Sequence, residues 1–289
     1  MESPAGGSSP HEFPLSLEIV TQILFHLDPL DINEMRAVCR STYKPTHTKA
    51  VWRAALERVI VQYGIFRPTF PLDEMSKDDL EHAACGPHRF VEHVEKNSAE
   101  RYKAYQNRTF LPREPEYGQS YTVTNMALVP GGRFLLTSGN GSVCLWDLGH
   151  NFGQPIKPFP IAVVEGNEAT LEAMCPSVDG KQLVLAVKTI VNNSDHLLDI
   201  YQIDPVSDEP NFDSKASFLF PIQDLQNALF VVGPPSGDGR IKSVHVNEDL
   251  VIVYCQPWFI AWNWMKGTAF RWEVDDPLDE VLYPLFLCR

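Results

Sequence analysis

Four soft ligands fall within twelve residues of this chain: His82, Cys85, His88 and His93. Imidazole and thiolate groups spaced in this way are what zinc takes. Gly86 and Pro87 interrupt the helix that would align them, and no second ligand pair lies nearby. Polar histidines along a helix face are therefore the preferred reading, and no metal or cofactor is expected. The acidic run Asp275, Asp276, Asp279 and Glu280 is the other concentration of reactive groups. A paired-carboxylate hydrolase needs two such groups held at a fixed separation, whereas a run of acids is ordinarily a solvated loop. No phosphate loop, dinucleotide fingerprint, His-Glu-x-x-His or Gly-x-Ser-x-Gly pattern occurs. Arg133, Lys181, Lys188, Arg240 and Lys242 are too scattered to form a phosphate pocket. The aromatic group Trp258, Phe259, Trp262, Trp264, Phe270 and Trp272 reads first as packing, and it is also where a substrate-facing surface would lie. No catalytic residue is expected, so binding is the chemistry left to explain.

The elements that would position a binding surface begin at Ser16, a natural N-cap. Leu17, Val20, Leu24 and Leu27 follow at helical spacing, and Ile19 and Ile23 widen the stripe. Asp28-Pro29 ends that helix. Asp31 with Glu34 resembles a capping-box start for a second helix bearing Ile32, Met35, Val38 and Cys39. After Pro45 a third helix carries Val51, Trp52, Ala55, Leu56, Val59 and Ile60 in pairs four apart. Three short helices in about forty residues bury little core by themselves. They leave apolar surface over, and such surface marks a docking site.

These residues resemble the F-box family. Leu15, then Glu18-Ile19-Val20, Ile23-Leu24, Leu27 to Ile32, Val38-Cys39-Arg40 and Trp52 match the family's motif in order. Ser16 stands where the family usually has proline, with Pro14 just upstream, and the aromatic after the Val-Cys-Arg step, Tyr43, is displaced by one residue. The resemblance implies docking onto a Skp-family adaptor and, through it, a cullin, within an SCF-type RING ubiquitin ligase. It implies an adaptor surface drawn from Leu15, Leu17, Ile19, Val20, Ile23, Leu24, Leu27, Leu30, Met35 and Val38. Some of these must instead hold the helices together, and spacing alone does not separate the two groups.

Composition agrees with a binding protein inside the cell. The 289 residues carry 24 Lys plus Arg against 37 Asp plus Glu, a net charge of -13. That balance argues against nucleic acid and against an anionic membrane face. The first ten residues are small and polar, unlike a secretory leader, and no apolar run approaches the length of a membrane span. The six cysteines form no regular framework and read as reduced thiols. Cytoplasmic or nuclear localisation is expected.

Further along, Ser76 followed by Asp78, Asp79 and Glu81 starts a helical stretch to about Tyr105, interrupted at Gly86-Pro87. Beyond about Tyr117 the pattern turns to short apolar runs separated by Gly, Asn, Asp and Pro. Val129 to Leu136 is echoed by Val178 to Leu185 and more loosely by Val246 to Val253. Each turn is preceded by a short strand (Thr124 to Val129, Ala169 to Cys175, Ile241 to Val246). Each is followed by a hairpin partner (Ser138 to Asp147, Leu198 to Ile203, Trp258 to Trp264). Asn140-Gly141 supplies the positive φ angles of a type I′ turn. A polar stretch, Gly233 to Arg240, separates the second unit from the third.

Four strands per unit, with the first two turns about fifty residues apart, resemble the blades of WD-repeat propellers. Trp146-Asp147 matches the family's dipeptide, and Tyr201-Gln202 and Trp262-Asn263 hold similar places. The alternative is another antiparallel β-domain such as a sandwich. Residues 117–289 supply about three blades, where closed rings take four to eight. A shortened product, a fragment and a chain that pairs with another copy all remain open.

The expected fold is thus multidomain α+β: a disordered tail over 1–11, a three-helix F-box domain over 12–60, a linker with helices over 61–116, and an incomplete WD-repeat-like propeller over 117–289. The expected function is a ubiquitin-ligase substrate receptor whose β-blades recruit a target protein. A β-propeller interaction scaffold without a ligase role, or an enzyme with an unfamiliar site, are the other classes.

Overall fold

The computed structural model describes residues 15–96, 108–109, 122–151, 153, 155–191, 195–220, 241–255 and 258–273. The expected tail, the stretch from 97 towards Tyr105, the insertion before Arg240 and the acidic run at 275–280 lie outside these residues. The chain divides into two compact units. The first holds the helices, and the second holds Phe66–Thr69 with all the strands. No helix among the described residues is long and apolar enough to cross a membrane.

Among the described residues the first unit has α1 (Leu17–Leu24), α2 (Pro29–Val38), α3 (Arg40–Tyr43) and α4 (Lys49–Gln62), four helices where three were expected, followed by α5 (Lys77–Ala84) and α6 (Gly86–Lys96) in the expected helical stretch after Ser76. The second helix starts three residues earlier than the Asp31 signal suggests. Asp28 is its N-cap and Pro29 opens its first turn, a position where a missing N–H costs nothing. The segment between α2 and α4 is a short helix and a 3₁₀ turn at Pro45–His47.

Val51, Trp52, Ala55, Leu56, Val59 and Ile60 on α4 are all buried, as their four-residue pairing predicts. They share one core with Val20, Leu24 and Ile32 and also with Leu72, Met75, Leu80, Ala84 and Cys85. Residues expected in a linker thus complete the core that the first three helices cannot close. The capping box at Ser76 forms: its hydroxyl accepts the Asp79 N–H at 3.2 Å and the Asp79 carboxylate accepts the Ser76 N–H at 3.2 Å. Gly86-Pro87 does interrupt, but as the first turn of α6 and not as a loop.

Among the described residues the second unit contains three four-stranded antiparallel sheets, each in sequential order. The first is β1 (Asn125–Leu128), β2 (Phe134–Gly139), β3 (Ser142–Asp147) and β4 (Ala162–Glu165). The second is β5 (Thr170–Pro176), β6 (Leu183–Val191), β7 (Asp195–Ile203) and β8 (Asp213–Phe220). The third is β9 (Ser243–Asn247), β10 (Leu250–Cys255), β11 (Trp258–Asn263) and β12 (Thr268–Glu273). They resemble propeller blades, and each carries one of the three repeated turns between its first and second strands. Asn140 and Gly141 take φ of 50° and 78° between paired Gly139 and Ser142, the two-residue turn their types require.

Side-chain alternation explains how the sheets stack. Leu183, Leu185 and Val187 of β6 join Phe134, Leu136, Val143 and Leu145 of the first sheet. The intervening Val184 and Ala186, with Leu198 and Ile200, join Val251, Val253, Ile260 and Trp262 of the third. The middle sheet is therefore apolar on both faces. The third sheet turns Val251, Val253 and Cys255 inward. Its other face is built from the rungs Ser243–Tyr254–Phe259–Trp272, His245–Ile252–Ala261–Phe270 and Asn247–Leu250–Asn263–Thr268.

Candidate functional site

The expected adaptor-facing residues split into two groups once α1 and α2 are in place. Val20 and Leu24 lie in the core, and Leu27 and Met35 are half-buried against it. Leu15, Leu17, Ile19, Ile23, Leu30 and Val38 are exposed. On α1 the exposed Ile19 and Ile23 are one turn apart and make a row, while Leu15 lies ahead of the extended N-cap Ser16 and outside the helix. Leu17 stands 59 % exposed although it is the same residue type as fully buried Leu24, two turns further along. Leu30 and Val38 occupy opposite ends of α2, about 12 Å apart along its axis. Helix spacing reveals an apolar stripe but not its centre line, so a stripe this wide hides which half faces inward.

The helix start is also set by polar atoms. Ser16 has the extended backbone of an N-cap, yet its hydroxyl accepts no helix N–H. It bonds the Glu18 carboxylate, and Glu18's own backbone N–H together with that hydroxyl holds the Glu18 carboxyl below its usual range.

Beneath the face, the packing side is pinned by a polar frame. Trp52, fully buried, donates its indole N–H to the Thr46 carbonyl at 2.8 Å. Arg36 lies over the Trp52 ring at 5.7 Å and reaches both Glu81 carboxylate oxygens at 2.9 and 3.1 Å. Burial pushes the Glu81 carboxyl up, but the hydrogen bonds from Arg36 and Lys77 outweigh it and leave the group below its ordinary value. Thr42 donates to the Met35 carbonyl at 2.7 Å, tying α3 to α2. The Arg58 guanidinium donates to the carbonyls of Phe25 and Leu27, which closes the open C-terminus of α1. The frame holds α1 and α2 as a rigid support while leaving their outer apolar residues uncovered.

The other candidates resolve differently. Among the described residues, no group of three His, Cys, Asp or Glu is gathered closely enough to hold a metal ion. Cys85 is instead a core residue whose thiol burial pushes up, and Asn33 donates to it at 3.6 Å. Of the scattered cations, Arg133 makes a paired contact with Asp147 at 2.9 and 3.1 Å, and Lys188 meets Glu172 at 2.6 Å.

Asp147 thereby ends β3 by clamping the turn before β2, next to buried Trp146, which donates to the Thr137 hydroxyl at 2.8 Å. In the third sheet Asn263 donates to Asp249 at 2.5 Å across the same positions. In the second sheet the turn bond from the Ser177 N–H to the Gln182 carbonyl matches that from Val129 to Phe134, so Ile203, the partner of Leu183, and Asp204 stand where Trp146 and Asp147 stand, two residues beyond the expected Tyr201-Gln202. With no polar clamp there, the turn is held locally: Ser177 donates to Asp179 at 2.6 Å, and Asp179 accepts the Lys181 N–H at 3.0 Å.

The C-terminal aromatic group also divides. Trp258 and Trp262 share the inward face and buried Trp264 joins the same core, while Phe259, Phe270 and Trp272 share the outward face. A further exposed set, Phe90, Val91 and Val94 on α6, is not among the expected residues, although its three- and four-residue spacing is visible in the sequence.

No family model matches the chain, and no curated protein matches it. Solved structures do. One is the β-propeller domain of Myceliophteria thermophila Cps50 (Swd1), with 11 % identity, a TM-score of 0.34, and coverage of 56 % of this chain and 48 % of that one. Another is Kluyvelomyces marxianus Hsv2, with 8 % identity, a TM-score of 0.27, and coverage of 54 % and 49 %. The chain spans about half the length of these structures. Superpositions this loose leave the blade reading to rest on the strand order and register described above.

Proposed function

We propose that this chain is the substrate-receptor subunit of an SCF-type cullin-RING ubiquitin ligase. In this reading Leu15, Leu17, Ile19, Ile23, Leu30 and Val38 dock a Skp-family adaptor, and the β-sheets recruit the protein to be modified. The observation that carries it is the split within the matched motif: the residues that hold the helices together are buried, and the rest of the apolar set is uncovered. The chain itself performs no chemistry. It raises the effective concentration of a target lysine beside the ubiquitin-charged conjugating enzyme, and the protein works in the cytoplasm or nucleus.

The test is co-purification with a Skp-family adaptor, comparing the native chain with Ile23→Asp. Ile23 is exposed, so the variant keeps its helical circular dichroism while adaptor capture falls from stoichiometric to background. Failure of the folded native chain to capture any Skp-family adaptor refutes the ligase reading. The blade-like sheets would then make a protein-interaction scaffold the leading account.

A further inference from the structure

We propose that the outward face of the third sheet is a self-association surface that pairs two copies of this chain face to face. The proposal is independent of the adaptor reading. Tyr254, Phe259 and Trp272 form a continuous aromatic ladder across three strands. Tyr254 and Phe259 stack with centroids 4.7 Å apart, and Phe259 and Trp272 with centroids 5.6 Å apart and planes within 11°. Phe270 and Ile252 flank the ladder on the next rung. Phe270 is 74 % exposed and Trp272 46 %, whereas the same sheet's other face is packed against the middle sheet. Aromatic side chains are the largest apolar groups a protein has, and a row of them facing water marks a contact surface.

Charge selects the occupant. The chain carries a net charge of -13, so two copies repel each other over most approaches. None of the three rungs on this face contains Asp, Glu, Lys or Arg; His245 is its one titratable imidazole. Two copies meeting here bury no unpaired charge, which is the costly part of most self-contacts. A two-fold axis through the face sets the ladder of one copy against that of the other, the arrangement in which a single patch serves both partners. The geometry is the sheet-on-sheet packing that this unit already uses twice, with layers about 10 Å apart.

Size sets the strength. Four strands about 4.8 Å apart and six residues long make a face of roughly 20 by 19 Å. Two copies therefore bury at least about 800 Å², the range of weak and reversible association and not of an obligate dimer.

The experiment is sedimentation velocity of the full 289-residue chain from about 1 to 200 μM, the range in which an interface of this size titrates. The native chain is expected to move reversibly from monomer to dimer. The double variant Phe270→Asp with Trp272→Asp is expected to stay monomeric throughout, its dissociation constant raised at least about 30-fold. Both residues point away from the core, and the melting temperature checks the fold. If that variant does not fold, His245→Glu, exposed on the β9 edge of the same face, carries the same test. A native chain that is monomeric throughout overturns the proposal. A dimer that survives the substitutions locates the contact elsewhere and overturns it equally.

Discussion

Leu17 and Leu24 provide a controlled comparison, because one helix presents the same side chain once to water and once to the core. Replacing Leu24 by alanine removes atoms that are fully buried beneath α1. Such Leu→Ala changes cost about 2–5 kcal/mol, set by how far the surroundings collapse into the cavity. The frame of Trp52, Arg36 and Glu81 restrains collapse here, so about 3 kcal/mol or more is expected. Leu17→Ala removes the same atoms from a position 59 % exposed. It is expected to cost below about 1 kcal/mol, since most of the transfer free energy was never gained and alanine is the better helix former.

Urea unfolding followed at 222 nm reads the difference, because the described helices all lie in the first unit. With m of about 1–2 kcal/mol/M, Leu24→Ala lowers the midpoint by roughly 1.5–3 M and Leu17→Ala by a few tenths. Adaptor binding should show the reverse order. Leu17→Ala weakens it by about 5–30-fold, the effect of losing one anchoring apolar contact, while Leu24→Ala, studied below its unfolding transition, leaves it nearly intact. Equal stability losses in the two variants would refute the inside-outside assignment, and equal affinity losses would refute the face.

Two predictions concern pH. The Glu81 carboxyl has a lowered pKa in the folded chain, so its ion pair with Arg36 stabilises above the unfolded carboxylate value of about 4.3. That contribution is lost as pH falls through the folded value. Glu81→Gln should therefore be less stable than the native chain at pH 7 and indistinguishable near pH 3 in parallel thermal melts. Asp199 has the opposite sign: burial raises its carboxyl pKa, against the hydrogen bond donated by Ser217. The folded state then holds the proton longer than the unfolded one, and stability falls as pH rises through that window. Asp199→Asn keeps an oxygen for Ser217 without the buried charge, so it should melt higher than the native chain at pH 7 and show no advantage near pH 3. A lower melting point at pH 7 would count against a desolvated carboxylate there.

What the sequence reveals follows the physics of each signal. The α4 stripe was legible because its apolar pairs recur every four residues with no competing face, and every one is buried. The repeated turns into Phe134, Leu183 and Leu250 were legible because Gly and Asn at turn positions, then a run of β-formers, constrain the backbone locally. Where two local signals competed, spacing misled. Asp31 with Glu34 imitates a capping box, but Pro29 sets the start at Asp28. The middle sheet lacks a Trp-Asp pair to mark its register, and the equivalent positions fall two residues further on, at Ile203 and Asp204. The place of α5 was illegible for a different reason: Leu80 and Ala84 belong to the first core through tertiary contacts with α4, and no local pattern encodes which helices will share a core.

That shared core explains why α1 has apolar residues to spare. Its contribution to folding is Val20 and Leu24, with half-buried Phe25 and Leu27 beside them. The deep packing around Trp52 comes from α4, α5 and the segment at Leu72 and Met75. Once α5 supplies that volume, nothing in the fold requires Ile19, Ile23 or Leu17 to be apolar, and polar residues there would solvate the helix better. The buried polar groups nearby, Thr42 and Thr46, spend their hydroxyls on backbone carbonyls. They brace α3 and the turn after it. An apolar row on a helix that does not need it for folding is what supports the proposed docking of a protein partner.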